Sequence, residues 1–356
     1  MKLSELFTPQ AIAVNFTNEY SNNIQYLGRG LFPAKKKAGL DLSWIKGKKG
    51  LPVSLKPSTF DTKATFRDRI GVKKIETEMP FFREGYLLKE KDRQEILRAK
   101  DSNDPYVQAV LDSIFDDVNN LVAGADVVPE RMIWQLLAPE DGNVGISISA
   151  NGVDYTYSYD PDGEWKSSNY VAITKAEDQW STAESCDPIG DLMEMQDKVE
   201  DATGVRPDVA VMSKTTFGYL SQSAKVRSAI LAQNPTANIV LTPDVVRTAI
   251  SAILGLDIIV YNKKYKNESG TASTFYPDNY VTLLPYGVPL GNTYYGTTPE
   301  EADLMNSNQA NVAIVGTGIA VSQIVIPHPV NLETIVSEIV LPSYEGMDYV
   351  GVIKVA

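Results

Sequence analysis

The chain carries one histidine, His328, set between Pro327 and Pro329, and one cysteine, Cys186. An imidazole metal site or a Ser–His catalytic pair would have to use His328, and its proline-flanked position reads instead as a surface turn. As the single cysteine, Cys186 excludes a disulfide framework or a thiolate cluster, and with no histidine or CxxC partner near it in sequence it reads as a small buried residue and not a reactive thiol. Gly316-Thr317-Gly318-Ile319-Ala320 has some of the dinucleotide glycines, but the GxGxxG spacing is incomplete and a strand, not a helix, follows. Lys48-Lys49 lies between Gly47 and Gly50 without the GxxxxGK[ST] pattern of a phosphate cradle. Asp116-Asp117, Asp160 with Asp162, and Glu300-Glu301-Asp303 could hold a divalent cation, but none has an EF-hand register, so they read as solvated faces. Nothing singles out a Lys, an Asn and an activating Glu for an isopeptide cross-link. No catalytic, cofactor-binding or metal residue is assigned, and the chain does not read as an enzyme.

The elements that would position such groups are more informative. The chain has 356 residues, 43% hydrophobic and 22% charged, the balance of an ordinary globular protein large enough for two domains. The net charge of −12 is unevenly spread. Residues 35–100 hold 18 Lys and Arg against nine Asp and Glu; residues 101–356 hold 13 against 34. A basic segment and an acidic remainder suit a molecule laid on its own neighbours, because complementary charge steers association and fixes register. The acidic balance argues against a dedicated nucleic-acid binder. The start Met1-Lys2-Leu3-Ser4-Glu5 lacks the apolar run of a signal peptide. The most apolar stretch, 311–330, contains Gly316, Gly318, Ser322, Gln323 and Pro327 and reads as two strands, not a membrane span. A soluble, intracellular chain is expected during synthesis.

The organising element is a helix from Asp104 to Ala123, with a continuation to about Ala138. Val107, Val110, Leu111, Ile114, Phe115, Val118, Leu121 and Val122 recur at helical spacing. Asp104 is the expected N-cap and Pro105 the first helical residue. Gly124 weakens the helix, and Pro129 is expected to kink it or start a second piece. Upstream, Thr8-Pro9 starts a short helix to about Asn15. Leu40–Ile45 and Gly71–Met79 alternate like strands around a long, weakly patterned loop, 51–69, and together suggest a ribbon that is marginal by itself. Residues 1–90 are therefore expected to find their packing only on neighbouring copies. A short charged helix is expected over Glu90–Arg98. Downstream, Val144–Ser149 and Val153–Tyr159 flank Asn151-Gly152, a strong hairpin signal.

From Asp187 the pattern turns α/β. Asp187-Pro188 opens a helix that ends at Gly204, Ser213 caps 214–221, a further helix covers about 224–233, and Thr242-Pro243 opens a helix that Gly255 stops. Strands are expected at 208–212, 258–261 and 280–284. Residues 286–300, rich in Gly and Tyr, read as an exposed loop. Strands at about 312–315, 319–326, 332–340 and 348–355 close the chain, and Glu333, Ser337 and Pro342 give the third an edge-like character.

Phe60-Asp61-Thr62-Lys63-Ala64, Gly71-Val72-Lys73-Lys74-Ile75-Glu76-Thr77-Glu78-Met79-Pro80-Phe81-Phe82, Thr274-Phe275-Tyr276-Pro277-Asp278-Asn279, and Leu290-Gly291-Asn292-Thr293 with Pro299-Glu300 add specific stretches to this order of elements. Together they resemble a tailed-phage major capsid protein of the HK97 fold, and more closely the phage lambda capsid protein E family. The resemblance implies an α+β, HK97-like capsid fold. Residues 1–40 would be the N-terminal arm and 41–88 the extended loop. Residues 89–186 and 314–356 would form the peripheral domain, with its long spine helix and β-sheet, and 187–313 the axial α/β domain. It implies a structural protein that self-assembles, as hexamers and pentamers, into an icosahedral shell around packaged double-stranded DNA. The expected location is the virion, after assembly in the host cytoplasm. Because the chain begins with the arm, scaffolding is expected from a separate protein or a removed piece, alongside portal and decoration proteins, with only non-specific proximity to DNA and no membrane. The alternative within the same fold is an encapsulin-like compartment around a cargo enzyme; outside it, an α/β enzyme with an unrecognised site.

Overall fold

A computed structural model describes residues 8–17, 26–46, 73–91, 94, 105–150, 152–231, 241–305 and 310–356. In chain order they form α1 (Pro9–Asn15), α2 (Leu27–Leu31), β1 (Ala34–Lys36), β2 (Asp41–Lys46), β3 (Lys73–Glu78), β4 (Phe81–Leu88) and the long α3 (Pro105–Leu137). The hairpin β5 (Gly145–Ala150) and β6 (Val153–Ser158) follows, then α4 (Glu164–Asn169), β7 (Tyr170–Ala172), α5 (Pro188–Thr203) and β8 (Val209–Met212). Next come α6 (Lys214–Gln222), α7 (Ala224–Leu231), α8 (Pro243–Leu254), β9 (Asp257–Val260), β10 (Lys264–Lys266), β11 (Ala272–Thr274) and β12 (Tyr280–Leu284). The chain ends with β13 (Asn292–Tyr295), β14 (Asn311–Val315), β15 (Ile319–Pro327), β16 (Val330–Ser343) and β17 (Gly351–Lys354). The loop 51–69, Phe60–Ala64, Lys48-Lys49, Asp104, Asn151 and most of the helix expected at Glu90–Arg98 lie outside the described residues.

Two compact units divide the chain. The first, called here the arm-bearing unit, takes Met1–Ser43, Glu76–Ile133 and Gly291–Ser343; the second, the α/β unit, takes Trp44–Ile75, Trp134–Leu290 and Tyr344–Ala356.

The arm-bearing unit is built on the order β1-β13-β16-β15-β14, with β4 also paired to β16. Strand β16 is long enough to hold β15 on one edge, β4 on the other from Leu332 to Ile339, and β13 from Val340 to Ser343. It is therefore a central strand. Its Glu333, Ser337 and Pro342 suggested an edge only because the partner β4 lies more than 240 residues upstream, where no local pattern can announce it. The segment read as an exposed loop at 286–300 likewise contains β13, whose Thr293 and Tyr295 are buried while Tyr286 is 81% exposed. Gly291 belongs there for lack of a side chain: a Cβ would collide with the Ser343 carbonyl oxygen and the Phe32 ring.

Residues 1–90 also differ from expectation. Ile12 and Phe16 pack with Val122 of α3 and with Val315, Ile319, Val321 and Val336 of the sheet. Strand β1 pairs in parallel with β13, and β4 runs antiparallel to β16. The described parts thus have substantial packing on their own chain. Thr8 caps α1 by accepting from the Ala11 N–H at 3.2 Å. The α3 helix runs through Pro129 without a break. The lost hydrogen bond is outweighed by the buried face that includes Val122, Met132 and Ile133.

The α/β unit has the sheet order β7-β17-β12-β8-β9. Strands β8 and β9 are parallel, as are β7 and β17, and the remaining pairs are antiparallel. The final strand β17 therefore joins β12 and β7, not the sheet of residues 314–343 with which the sequence grouped it. Its Ile353, and Val355 just after it, are buried in a core with Leu192, Met195 and Val199 of α5, Phe217 and Leu220 of α6, and Val246 and Ile250 of α8. The caps fall where expected. Asp187 accepts from Gly190 N–H at 3.1 Å, Ser213 from Thr216 N–H at 3.2 Å, and Gly204 and Gly255 end their helices in the left-handed region. The hairpin pairs Ala150 with Val153, placing Gly152 at φ 79° in the turn.

Candidate functional site

The residues first considered for chemistry are dispersed. His328 is exposed in the turn between β15 and β16, Cys186 is fully buried, and Gly316 makes the β14–β15 turn with positive φ. Among the described residues no group of three or more His, Cys, Asp or Glu is placed to hold a metal ion. No helix among them is long and apolar enough to cross a membrane.

What the structure builds instead, within the arm-bearing unit, are seats for chain segments distant in sequence. The first is at the turn of β-structure before β14. Glu300 and Glu301 open a short π-helical turn, Glu300–Leu304. Glu300, 4% exposed, accepts from Arg83 of β4 at 2.5 Å and from the Ser337 hydroxyl of β16 at 2.8 Å. Arg83 also lies 4.7 Å above the Phe81 ring. Glu301 pairs with Lys36 of β1 at 2.5 Å. Two adjacent carboxylates thus bind one strand on each of two upstream segments. This corrects the reading of Glu300-Glu301-Asp303 as a solvated face: Glu300 is desolvated and stabilised only because a guanidinium and a hydroxyl reach it.

The second seat holds α2. Its Gly28 N–H donates to Glu130 Oε1 of α3 at 3.1 Å, and Arg29 forms an ion pair with Asp126 one turn earlier on the same helix. A Cβ at Gly28 would lie 2.6 Å from Glu130 Oε2 and 3.0 Å from Ile133 Cγ2, so a larger residue would have to displace the Glu130 carboxylate that accepts from the Gly28 N–H. Arg29 also lies 5.2 Å over the Tyr26 ring. Burial, with Asp126 nearby, pushes the Tyr26 phenol up to about 12, so it stays neutral. Burial raises the Asp126 carboxyl above its ordinary value, and Arg29 only partly offsets this. A cavity of about 310 Å³ opens beside the seat, lined by Arg29, Asp126, Phe16, Phe32, Tyr295 and Thr317 among others.

None of Arg29, Lys36, Arg83, Asp126 or Glu130 stood out in sequence, since each makes its pair across a long separation. Glu300-Glu301 was visible as a cluster but not as a seat. Among the described residues, no arrangement of nucleophile, base and orienting group forms around these pairs; they fix strands and a short helix.

The architecture has solved relatives. A prophage protein of E. coli CFT073, assigned as a capsid protein, matches with a TM-score of 0.60 at 14% identity, over 98% of this chain and 99% of that one. A phage-related protein from Bordetella bronchiseptica RB50 matches with a TM-score of 0.55 at 12% identity, over 98% and 97%. No curated protein matches the chain in sequence. The class is an HK97-like, α+β fold. The model of the phage major capsid protein E family matches residues 14–348, and the chain belongs to that family. Its function is that of a phage major capsid protein.

Proposed function

We propose that copies of this chain close into an icosahedral shell of hexamers and pentamers around double-stranded DNA, in the virion, after assembly in the host cytoplasm. Scaffolding, portal and decoration functions come from other chains, and the shell protein itself carries out no turnover. The observation that supports this most directly is the way upstream segments enter one sheet. Strands β1 and β4 are fastened to it by main-chain ladders and by the Glu300-Glu301 pairs, while the ribbon between them, β2 with β3, joins no other strand among the described residues. A two-stranded ribbon is marginal in water, and residues 35–100 are strongly basic against an acidic remainder. Such a ribbon gains by lying on an acidic neighbouring copy, and contacts of about 1,600 Å² each, repeated around a subunit, favour cooperative closure.

In this reading the arm-bearing unit supplies the arm, the loop root and the peripheral sheet. The α/β unit supplies the axial contacts. Electron microscopy of the purified full chain, with and without raised salt, tests it. Closed shells or ring-shaped capsomers that loosen with salt are expected. A chain that stays monomeric at high concentration would overturn the proposal.

A further inference from the structure

The cavity of about 310 Å³ beside the seat of α2 is walled by stretches far apart in sequence: the end of α1, α2 with β1, the second half of α3, β13 and the β14–β15 turn. All of them lie within the arm-bearing unit. The lining residues sort by exposure. Phe16, Phe32, Pro129, Val315 and Ile319 are buried and make an apolar floor, while Thr17, Ala34, Gly316 and Thr317 are exposed and make the rim. One wall is charged. Arg29 and Asp126 both line the cavity and are paired with each other through Arg29 Nη2. Arg29 Nε is shut off from water and has no hydrogen-bond partner among the described residues. A guanidinium carries five N–H donors, so a further acceptor beside this one would be answered.

These surfaces select a class of ligand. A volume of about 310 Å³ is at the lower end for small-molecule sites and holds one or two rings. The floor, with the rings of Phe16 and Phe32 and the half-turned wall of Tyr295, favours an aromatic body through burial and ring contact. Net charge of either sign is disfavoured. An anion would meet Asp126, with buried Glu130 one turn further along α3 and buried Glu338 in the sheet of the same unit; a cation would meet Arg29. A neutral hydroxyl avoids both penalties and serves both groups, accepting from the guanidinium and donating to the Asp126 carboxylate.

We propose that this cavity is a binding site for a small neutral aromatic alcohol of the phenol class, its ring on the apolar floor and its hydroxyl against the Arg29–Asp126 pair. Because the walls join α1, α2 and β1 to α3 and the sheet, an occupant fastens the N-terminal segment to the rest of the unit by mass action. The lining residues named come from one copy of the chain, so the site does not depend on the assembly proposed above.

The test follows para-fluorophenol by ligand-observed fluorine NMR on the full chain, with para-fluorotoluene as the same ring carrying a methyl in place of the hydroxyl. Saturable binding of para-fluorophenol is expected, about tenfold or more tighter than that of para-fluorotoluene, the worth of a hydrogen bond to a charged group. Val315→Phe directs its added atoms into the cavity and should abolish binding of both probes. Arg29→Met combined with Asp126→Leu removes the charged pair without leaving either partner buried alone; para-fluorotoluene should still bind, and the preference for the hydroxyl should vanish. This double variant decides the matter if Val315→Phe does not fold, because retained para-fluorotoluene binding shows that the site is intact. No saturable binding to the parent chain, equal affinities for the two probes, or unchanged binding to a folded Val315→Phe variant overturns the proposal. Binding per chain that falls as protein concentration rises would give the cavity to a side chain of a neighbouring copy, and overturns it as well.

Discussion

In the α/β unit the space between helices and sheet is filled by Trp180, Leu192, Met195, Val199, Met212, Leu220, Val246 and Ile250, all essentially inaccessible. Several polar groups that enter it are hydrogen-bonded within the unit, though the Ser223 hydroxyl has no hydrogen-bond partner among the described residues. Gln196 donates to the Pro207 and Leu254 carbonyls, Asn169 to those of Asp348 and Val350, and the Thr282 hydroxyl to that of Leu137. In the arm-bearing unit the corresponding layer is mixed. Asn119 and Asp126 lie one turn either side of Val122 on α3, and Gln323 and Glu338 rise from the sheet. Asn119 Oδ1, both side-chain polar atoms of Gln323 and both oxygens of Glu338 lack hydrogen-bond partners among the described residues. Such groups cost about 1–3 kcal/mol each where nothing answers them. The dry core suits a body that keeps its shape. The mixed one suits a sheet that must receive segments from far along the chain and hold them by a few specific pairs.

The largest expected effect comes from cutting into the dry core. Trp180→Ala removes a fully buried ring and its 2.8 Å hydrogen bond to Asp191. It should cost about 3–5 kcal/mol, read as a drop in the urea midpoint. A loss well below that would break the comparison, because it would mean that this core relaxes as easily as the other. Phe16→Ala is the matching cut in the arm-bearing unit. Phe16 is 2% exposed but already borders the cavity of about 310 Å³, so it has fewer atoms to lose contact with. It should cost less, about 1–3 kcal/mol. Faster proteolysis of the N-terminal segment, with little change in the unfolding of the α/β unit, is the expected signature.

Arg83→Ala sharpens the contrast through charge. It leaves Glu300 buried with only the Ser337 hydroxyl. Because the Arg83 side chain is itself 45% exposed, the loss is discounted to about 1–2 kcal/mol. Arg83→Leu combined with Glu300→Leu should recover most of it, since no buried charge then lacks a partner. If the double variant is no better than the single one, the pair contributes packing and not charge balance. Thermal unfolding of the four proteins in a cycle gives the answer.

The same contrast explains which parts were readable beforehand. The α/β unit is organised by local signals: Asp187-Pro188 with Gly204, Ser213, Thr242-Pro243 with Gly255, and Gly152 in the hairpin each act within a few residues, and each falls where the residues said. The arm-bearing unit is organised by pairings across hundreds of residues, β1 with β13 and β4 with β16, which leave no trace in a local window. Hence a buried strand at 292–295 looked like a Gly-Tyr loop, a central strand looked like an edge, and the upstream segments seemed to lack a place on their own chain. The one hint was Glu338, a charged residue directly before the apolar run Ile339-Val340-Leu341. It is buried in β16, and neither of its oxygens has a hydrogen-bond partner among the described residues. Pro129 misled for the related reason that propensity is local and the packing that overrides it is not.

The smallest expected effect tests whether the α/β unit is as local as this account requires. Asp187 caps α5 through Gly190 N–H and also meets Lys225 at 2.6 Å. Partial burial pushes its carboxyl up, but the Lys225 ammonium and the Gly190 N–H outweigh it, and the group sits below its ordinary value. Its contribution is therefore present above the ordinary carboxyl range and is lost as pH falls through the depressed value. Asp187→Ala should cost about 1 kcal/mol near neutrality, and the two proteins should converge in acid. Asp187→Ser, which keeps an acceptor for Gly190 but no charge for Lys225, separates the two partners. If it restores the loss at neutral pH, the cap is the dominant contact and the exposed ion pair adds little. If it restores nothing, the long-range pair to Lys225 of α7 matters more than the cap. Non-local charge would then organise this unit as well, and the distinction between the two units would narrow to one of burial alone.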